Sequence, residues 1–189
     1  MSLQIVILGM LWDRDGHPYE LKKRIQHFEL DDIISITDGS LYYNIEALVK
    51  KGFIIPVEVV HTENRPDKTT YAITEEGKRG LEENIYKLFR KSLDVKSLYS
   101  AIPFIRRANG GRLAILIEDT IVTLKHRAEL VNKNKELHPE LREREEIWFL
   151  GDLAEQSLQT EIRWFERLLE IVKRMGEPQT DQAGDAAEA

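Results

Sequence analysis

Residues 36–77 read ITDGSLYYNIEALVKKGFIIPVEVVHTENRPDKTTYAITEEG, and the change of period inside them decides the fold. Thr37 or Asp38 is a helix N-cap. Leu41, Ile45 and Leu48 then recur at helical spacing and form a buried stripe, which Gly52 ends. From Phe53 to Val60 the chain is rich in β-branched residues and predicts a strand. Thr62 to Lys68 is polar, holds Pro66 and predicts a loop of six or seven residues. Thr69 to Thr74 returns as a second strand, closing a hairpin. Thr74-Glu75-Glu76-Gly77 opens another helix, with Thr74 as N-cap and acids in its positive first turn.

Upstream, Leu3, Ile7, Leu8 and Leu11 mark a short helix that residues 13–16 end. Pro18 starts a second helix, with Leu21, Ile25 and Phe28 on its inner face. Three helices, a hairpin and a helix within residues 1–92 predict a winged helix-turn-helix. In that arrangement the third helix enters the major groove of DNA.

The second half predicts helix throughout. A segment near 95–107 stops at Asn109-Gly110-Gly111. A long helix follows to about His138, with Leu113, Ile117, Ile121, Leu124, Ala128 and Val131 as its apolar positions. A last helix runs from Glu140 to about Met175, with Ile147, Leu150, Ala154, Leu158, Phe165, Leu169 and Val172 at spacings of three and four. Helices this long cannot hide their stripes on the first domain alone. The simplest cover is a second copy of the chain. The alternative is an intramolecular helical hairpin, which leaves a monomer. The fold class expected is mainly α with a small β-hairpin. Residues 1–92 form the winged domain, residues 93–175 form the helical dimerisation and effector domain, and residues 176–189 form an acidic, disordered tail.

Composition narrows the function. The 189 residues carry 27 Lys and Arg against 33 Asp and Glu, for a net charge of −6, so a nonspecific polycation is excluded. There is no cysteine, which removes disulfides, thiolate metal sites and cysteine nucleophiles. The longest apolar run, residues 3–12, is about half a bilayer crossing, and the reading is a soluble cytoplasmic protein. The five histidines form no paired metal motif, and no phosphate loop or nucleophile elbow occurs. Neither enzyme activity, a cofactor nor a metal is expected.

The candidate DNA contacts lie on the outward side of the third helix and on the hairpin. Asn44 suits a bidentate contact to adenine, and Tyr43 a thymine methyl or sugar. Ser40, in the first turn, suits a phosphate. Tyr42 falls nearer the buried side, with its hydroxyl toward solvent. Lys50 and Lys51 are placed for the backbone, although lysines before a helix-ending glycine also complement the helix dipole. Lys22 and Lys23 add charge from the second helix, and Arg65 and Lys68 flank the hairpin tip. For a small flat ligand, Trp148, Trp164 and Arg163 are the candidates. The two tryptophans are 16 residues apart on one helix, about 24 Å, so one chain cannot wrap both around one small molecule. Plain interface packing is the other reading of these aromatics.

The runs ILGML, HPYELKKRI, ITDGSLYYNIEALVKKGFI and NRPDKTTYAITEEGKRGL, in that order, resemble the PadR family of bacterial transcriptional regulators. The most distinctive parts are Ser40-Leu41-Tyr42 and the spacing Tyr71-x-x-Thr74-x-x-Gly77. The segment EIRWFERLLEI, residues 161–171, resembles the end of the longer-tailed subgroup more weakly. The resemblance implies a dimeric repressor on a near-palindromic double-stranded operator, released by a small aromatic effector such as a phenolic acid. Residues 38–51 and 53–74 would correspond to its recognition helix and wing. Two departures stand out: Pro18 replaces the family's usual Gly before Tyr19, and Glu58 and Glu63 make the wing acidic. The competing reading is a winged-helix protein–protein interaction module that lacks sequence-specific DNA binding.

Overall fold

The computed structural model describes residues 2–27, 36–62 and 65–176. The sequence expectations for Phe28 and for the acidic tail beyond Gly176 fall outside these residues. Helix α1 (Ser2–Asp13) is apolar on nearly every side, and Leu3, Ile5, Val6, Ile7, Leu8, Met10 and Leu11 are all buried. A helix apolar all round belongs in the middle of a fold. Here α1 is packed against α2 (Pro18–His27), α3 (Asp38–Lys50), α4 (Glu75–Lys91) and strand β2 (Arg65–Ile73) of the hairpin, whose other strand is β1 (Ile54–Thr62).

Helix α3 is fixed at both ends by its own backbone chemistry. Thr37 Oγ1 accepts from the Ser40 amide at 3.1 Å, while the Thr37 amide donates to Ser40 Oγ at 3.0 Å. This reciprocal box satisfies two amides that a helix start leaves bare. At the other end Gly52 takes a φ of 68°. Its amide donates to Val49 O and the Phe53 amide to Leu48 O, a Schellman motif that turns the chain straight into β1.

The hairpin is longer than the sequence indicated. Polar residues from Thr62 to Lys68, expected as loop, are strand except at positions 63 and 64, which are not described. A two-stranded ribbon has little core to cover, so its strands need no apolar alternation. Pro66 is accommodated at an irregularity: between the pairs Val60↔Lys68 and Thr62↔Arg65, one β1 residue faces two on β2. Tyr71 exchanges both backbone hydrogen bonds with Gly16, at 3.0 and 3.1 Å. Its face toward β1 is therefore a non-hydrogen-bonded pair, which is where Pro56 sits.

Thr74 closes the wing onto α4. Its hydroxyl accepts from the Gly77 amide at 2.9 Å and donates to Gly52 O at 2.7 Å. Gly77 is buried so tightly that a Cβ there would lie 2.0 Å from Phe53 O.

Two 3₁₀ turns, Lys96–Leu98 and Ile102–Arg107, replace the helix expected near 95–107. Asn109 then caps α5 (Gly110–Leu137) by accepting from the Arg112 amide. A third 3₁₀ turn, Pro139–Glu143, precedes α6 (Glu145–Gly176), which therefore starts later than the sequence indicated. Helices α5 and α6 fold back on each other as an antiparallel hairpin. Leu113, Ile117, Leu124 and Ala128 meet Ile162, Phe165, Leu168 and Val172 in its seam. Lys173–Glu118 at 2.7 Å and Lys125–Glu166 at 2.8 Å fix the register from the sides. The intramolecular hairpin thus covers the main stripes. It leaves Leu150, expected inside, exposed. Among the described residues no helix is long and apolar enough to cross a membrane.

Tyr86 joins the two domains. Its hydroxyl donates to Glu82 and accepts from the Asn109 amide at 2.7 Å, and the Arg112 guanidinium lies 4.0 Å from its ring centroid. Burial first, and then the bond to Glu82, push the phenol up to about 12.

Two outcomes follow from this packing. Gly77→Ala destabilises the protein by about 3 kcal/mol in urea unfolding, the upper end for overpacking, because backbone and not a side-chain tip stands in the way. Gly52→Ala costs about 1 kcal/mol, the steric price of a left-handed alanine. The second outcome concerns pH. The folded-state pKa of Tyr86 lies above its ordinary value, so the neutral phenol contributes stability below pH 10. That contribution is lost as pH rises from 10 to about 12. Urea midpoints measured across this window fall more steeply in the wild type than in Tyr86→Phe.

Candidate nucleic-acid interface

The buried stripe of α3 leaves the opposite side of the helix in solvent. Tyr43 is 72% exposed and Tyr42 50%. The second value corrects the placement of Tyr42 near the buried side. Tyr42 and Glu46 are close enough to Tyr71 on the wing to act on its phenol electrostatically. Partial burial first, and then these two neighbours, raise the Tyr71 phenol above its usual range.

Asn44 is half-buried, and its Nδ2 donates to Ser40 O at 2.8 Å. One amide N–H is thus spent on the helix backbone. Oδ1 and the second N–H remain, the pair that a bidentate contact to adenine uses. Ser40 is different. Its hydroxyl donates to Thr37 O at 2.9 Å and also accepts from the Thr37 amide. Its first duty is the helix start.

The lysines also divide. Lys50 is exposed at the end of α3. Lys51 turns back toward the core: its Nζ donates to Gln4 Oε1 at 3.1 Å and lies 5.8 Å from the Phe53 ring centroid. Lys22 pairs with Asp38 at 2.7 Å, tying α2 to the first turn of α3. Lys23 lies over the Tyr19 ring at 4.8 Å. Arg65 and Lys68 stand on β2, with Thr62 and Val60 as their cross-strand partners.

Sequence reasoning passed over Tyr19, which is 59% exposed at the start of α2. The signal was present in the four-residue spacing from Tyr19 to Lys23, which puts ring and ammonium on one helix face. The face as built is aromatic and amide in the middle, with cations toward its edges. Net charge contributes little.

The effector candidates do not form one site. Trp148 is packed between Lys135, 4.9 Å away, and Arg142, 5.0 Å away. Arg163 and Trp164 share a shallow groove of about 250 Å³ with Arg167. A larger cavity of about 430 Å³ lies between the domains. Met10, Pro103 and Phe104 give it apolar walls, and Arg24, Arg106, Arg107 and Asp13 line the remainder. Arg107 is paired with Asp13 and lies 5.4 Å from the Trp12 ring centroid. No cluster of metal-ligating residues occurs among the described residues.

A capped helix with an exposed polar and aromatic face, set against a two-stranded wing, defines a winged helix-turn-helix protein of the DNA-binding class. The comparisons with known proteins give the family. Residues 7–83 match the model of the transcriptional regulator PadR-like family. A transcriptional regulator of Thermoplasma acidophilum is 32% identical; the match covers 42% of this chain and 70% of that one, with a TM-score of 0.36. Bacillus subtilis PadR in complex with operator DNA is 19% identical, with 91% of this chain and 99% of that one covered and a TM-score of 0.40. A PadR-like transcriptional regulator of Bacillus cereus is 21% identical, covering 91% and 96%, with a TM-score of 0.37. A search of curated proteins returns no match. The chain belongs to the PadR-like family of transcriptional regulators through its winged domain.

Proposed function

We propose that this protein is a dimeric, sequence-specific repressor of the cytoplasm that leaves its operator when a small aromatic acid binds. The observation that carries the DNA half of this reading is the state of Asn44. Its amide is already fixed on the helix by Ser40 O, with Oδ1 and one N–H left for a base edge. A preset side chain loses less rotamer freedom on binding. Tyr42 and Tyr43 flank it, Lys50 and Lys23 meet phosphates beside it, and the wing carries Arg65 and Lys68 to the neighbouring groove. A monomer with so few cations binds weakly, so two heads on one near-palindrome supply the avidity.

The interdomain cavity suits the effector better than the Trp164 groove. It is larger, it has apolar walls for a ring, and its arginines suit a carboxylate. It also lies between the reading head and the helical hairpin. A ligand acts there only if it binds two arrangements of the domains unequally.

Selection from a randomised duplex library tests the DNA reading. An enriched inverted repeat is expected. On that site Asn44→Ala weakens binding by about tenfold to a hundredfold, with little change on random DNA. Lys68→Ala weakens both equally and lowers the salt slope by about one unit. A library without enrichment overturns the repressor reading in favour of a protein-docking module. For the effector, titration of small aromatic carboxylates is followed by isothermal titration calorimetry. Arg106→Ala weakens binding about tenfold, the scale of one charge-assisted hydrogen bond. Trp164→Ala leaves it unchanged; the reverse pattern returns the site to α6.

A further inference from the structure

Helix α3 carries two acids, and the fold treats them differently. Asp38 is neutralised by Lys22 at 2.7 Å. Glu46 is exposed and makes neither a hydrogen bond nor an ion pair with any described residue. Lys50 follows it at the four-residue spacing of a helical ion pair, yet the two do not pair.

Around the helix axis, Glu46 points closer to the outward direction than Asn44 does. At 3.6 residues per turn, Glu46 lies about 45° from the direction opposite Leu41, Ile45 and Leu48, and Asn44 about 115° from it. Gly39 and Tyr43 lie within about 30° of the same direction. Nothing in the described fold asks for glycine at position 39. Its φ is not left-handed, and an added Cβ would meet no atom within 4 Å. Glycine is a poor helix former, and a bare backbone there lets a docking surface come close.

An unpaired carboxylate on a face that meets DNA repels every phosphate it nears. The chain, at net −6, has little positive charge to offset that repulsion. What duplex DNA offers a carboxylate in the major groove is the amino group of a base. Cytosine presents its N4 amino group with no acceptor beside it on the same base, whereas adenine places the N7 acceptor next to N6.

We infer that Glu46 accepts a hydrogen bond from the N4 amino group of a cytosine and so fixes a C·G pair in each half-site. The inference rests on the DNA-binding reading above and adds a base identity to it. Asn44 and Glu46 point about 160° apart around α3, so they address different base pairs. Glu46 thereby acts twice: it holds one pair, and it weakens binding to every sequence that lacks that pair.

The test is selection from a randomised duplex library with the full chain, run in parallel with Glu46→Ala. The wild type is expected to retain a C·G pair at one position of each half-site, preferred over the other pairs by about tenfold to a hundredfold. In Glu46→Ala that position accepts any pair, and the remaining positions are unchanged. Random DNA binds the variant about threefold more tightly at low salt, and the gain fades as salt rises. Replacing that cytosine by 2-pyrimidinone, which lacks the 4-amino group, weakens wild-type binding about tenfold more than it weakens the variant. Glu46 is exposed, so circular dichroism and urea midpoints of the variant stay at wild-type values. If Glu46→Ala selects the wild-type sequence and binds all DNA equally more tightly, the carboxylate is a general repulsion, and the inference fails while specific binding stands. If the preference lost is for an A·T pair, the assignment to cytosine fails. A wild-type library without enrichment overturns both the inference and the reading beneath it.

Discussion

The close approach of Gly77 to the Phe53 carbonyl is the constraint on which the winged domain depends. Helix α4 can lie against the end of α3 and the start of the wing only because position 77 has no Cβ. Thr74 uses that proximity. One hydroxyl takes the Gly77 amide and gives its proton to the Gly52 carbonyl, so the cap of α4 and the C-terminal turn of α3 share an atom. From this point the wing leaves at a fixed angle to α3. Gly16, paired with Tyr71 on the other edge of β2, holds the wing to the turn before α2. Helix, turn and wing therefore move together, which is what a surface reading two grooves at once requires.

That geometry explains what could be read from the residues alone. The spacing Tyr71-x-x-Thr74-x-x-Gly77 is a backbone pairing position, a cap and a close-approach glycine in sequence; the cap and the glycine are nearly forced by their tasks, while main-chain pairing at position 71 leaves the residue type open. The stripe Leu41, Ile45, Leu48 and the glycine after it were legible for the same reason: burial and a left-handed turn tolerate few residue types. The hairpin length was not legible. Strands with little core to cover carry no alternation, and a proline within a bulge looks like a loop. The 3₁₀ turns between the domains were likewise hidden, since a short apolar run does not announce its pitch.

The candidate interface was legible in position and less so in detail. Sequence periodicity puts Ser40, Tyr43, Asn44, Lys50 and Lys51 outside. Only coordinates separate the ones that serve the helix from the ones that face solvent. Ser40 completes a cap and Lys51 reaches Gln4, while Tyr43 and Lys50 remain exposed. Asn44 does both, because an amide has more bonding positions than the helix uses. Tyr42 was misplaced because a residue beside a buried stripe has two directions to turn.

The same accounting bears on how the two domains communicate. The walls of the interdomain cavity belong to α1, α2 and the 3₁₀ turn that leads into α5. Its rim is closed by the Arg107–Asp13 pair, and beyond it Tyr86 receives the Asn109 amide at the very start of α5. The Asn109 amide also donates to Glu82 Oε1 at 3.2 Å, and Arg112 pairs with Glu83 at 2.8 Å across the same junction. A guest that engages Arg107 competes with Asp13 for it, and so loosens a contact of α1 while leaving the Tyr86 contact to α4 in place. The winged domain would then pivot about Tyr86 instead of translating. In the dimer proposed above, a pivot at the base of the 28-residue α5 would change the separation of the two heads and leave the α5–α6 seam and the cap of α3 undisturbed. In the repressor proposed above, the rigid packing around Gly77 would keep each reading head intact, and the exposed Arg107–Asp13 pair would be the link that an effector releases.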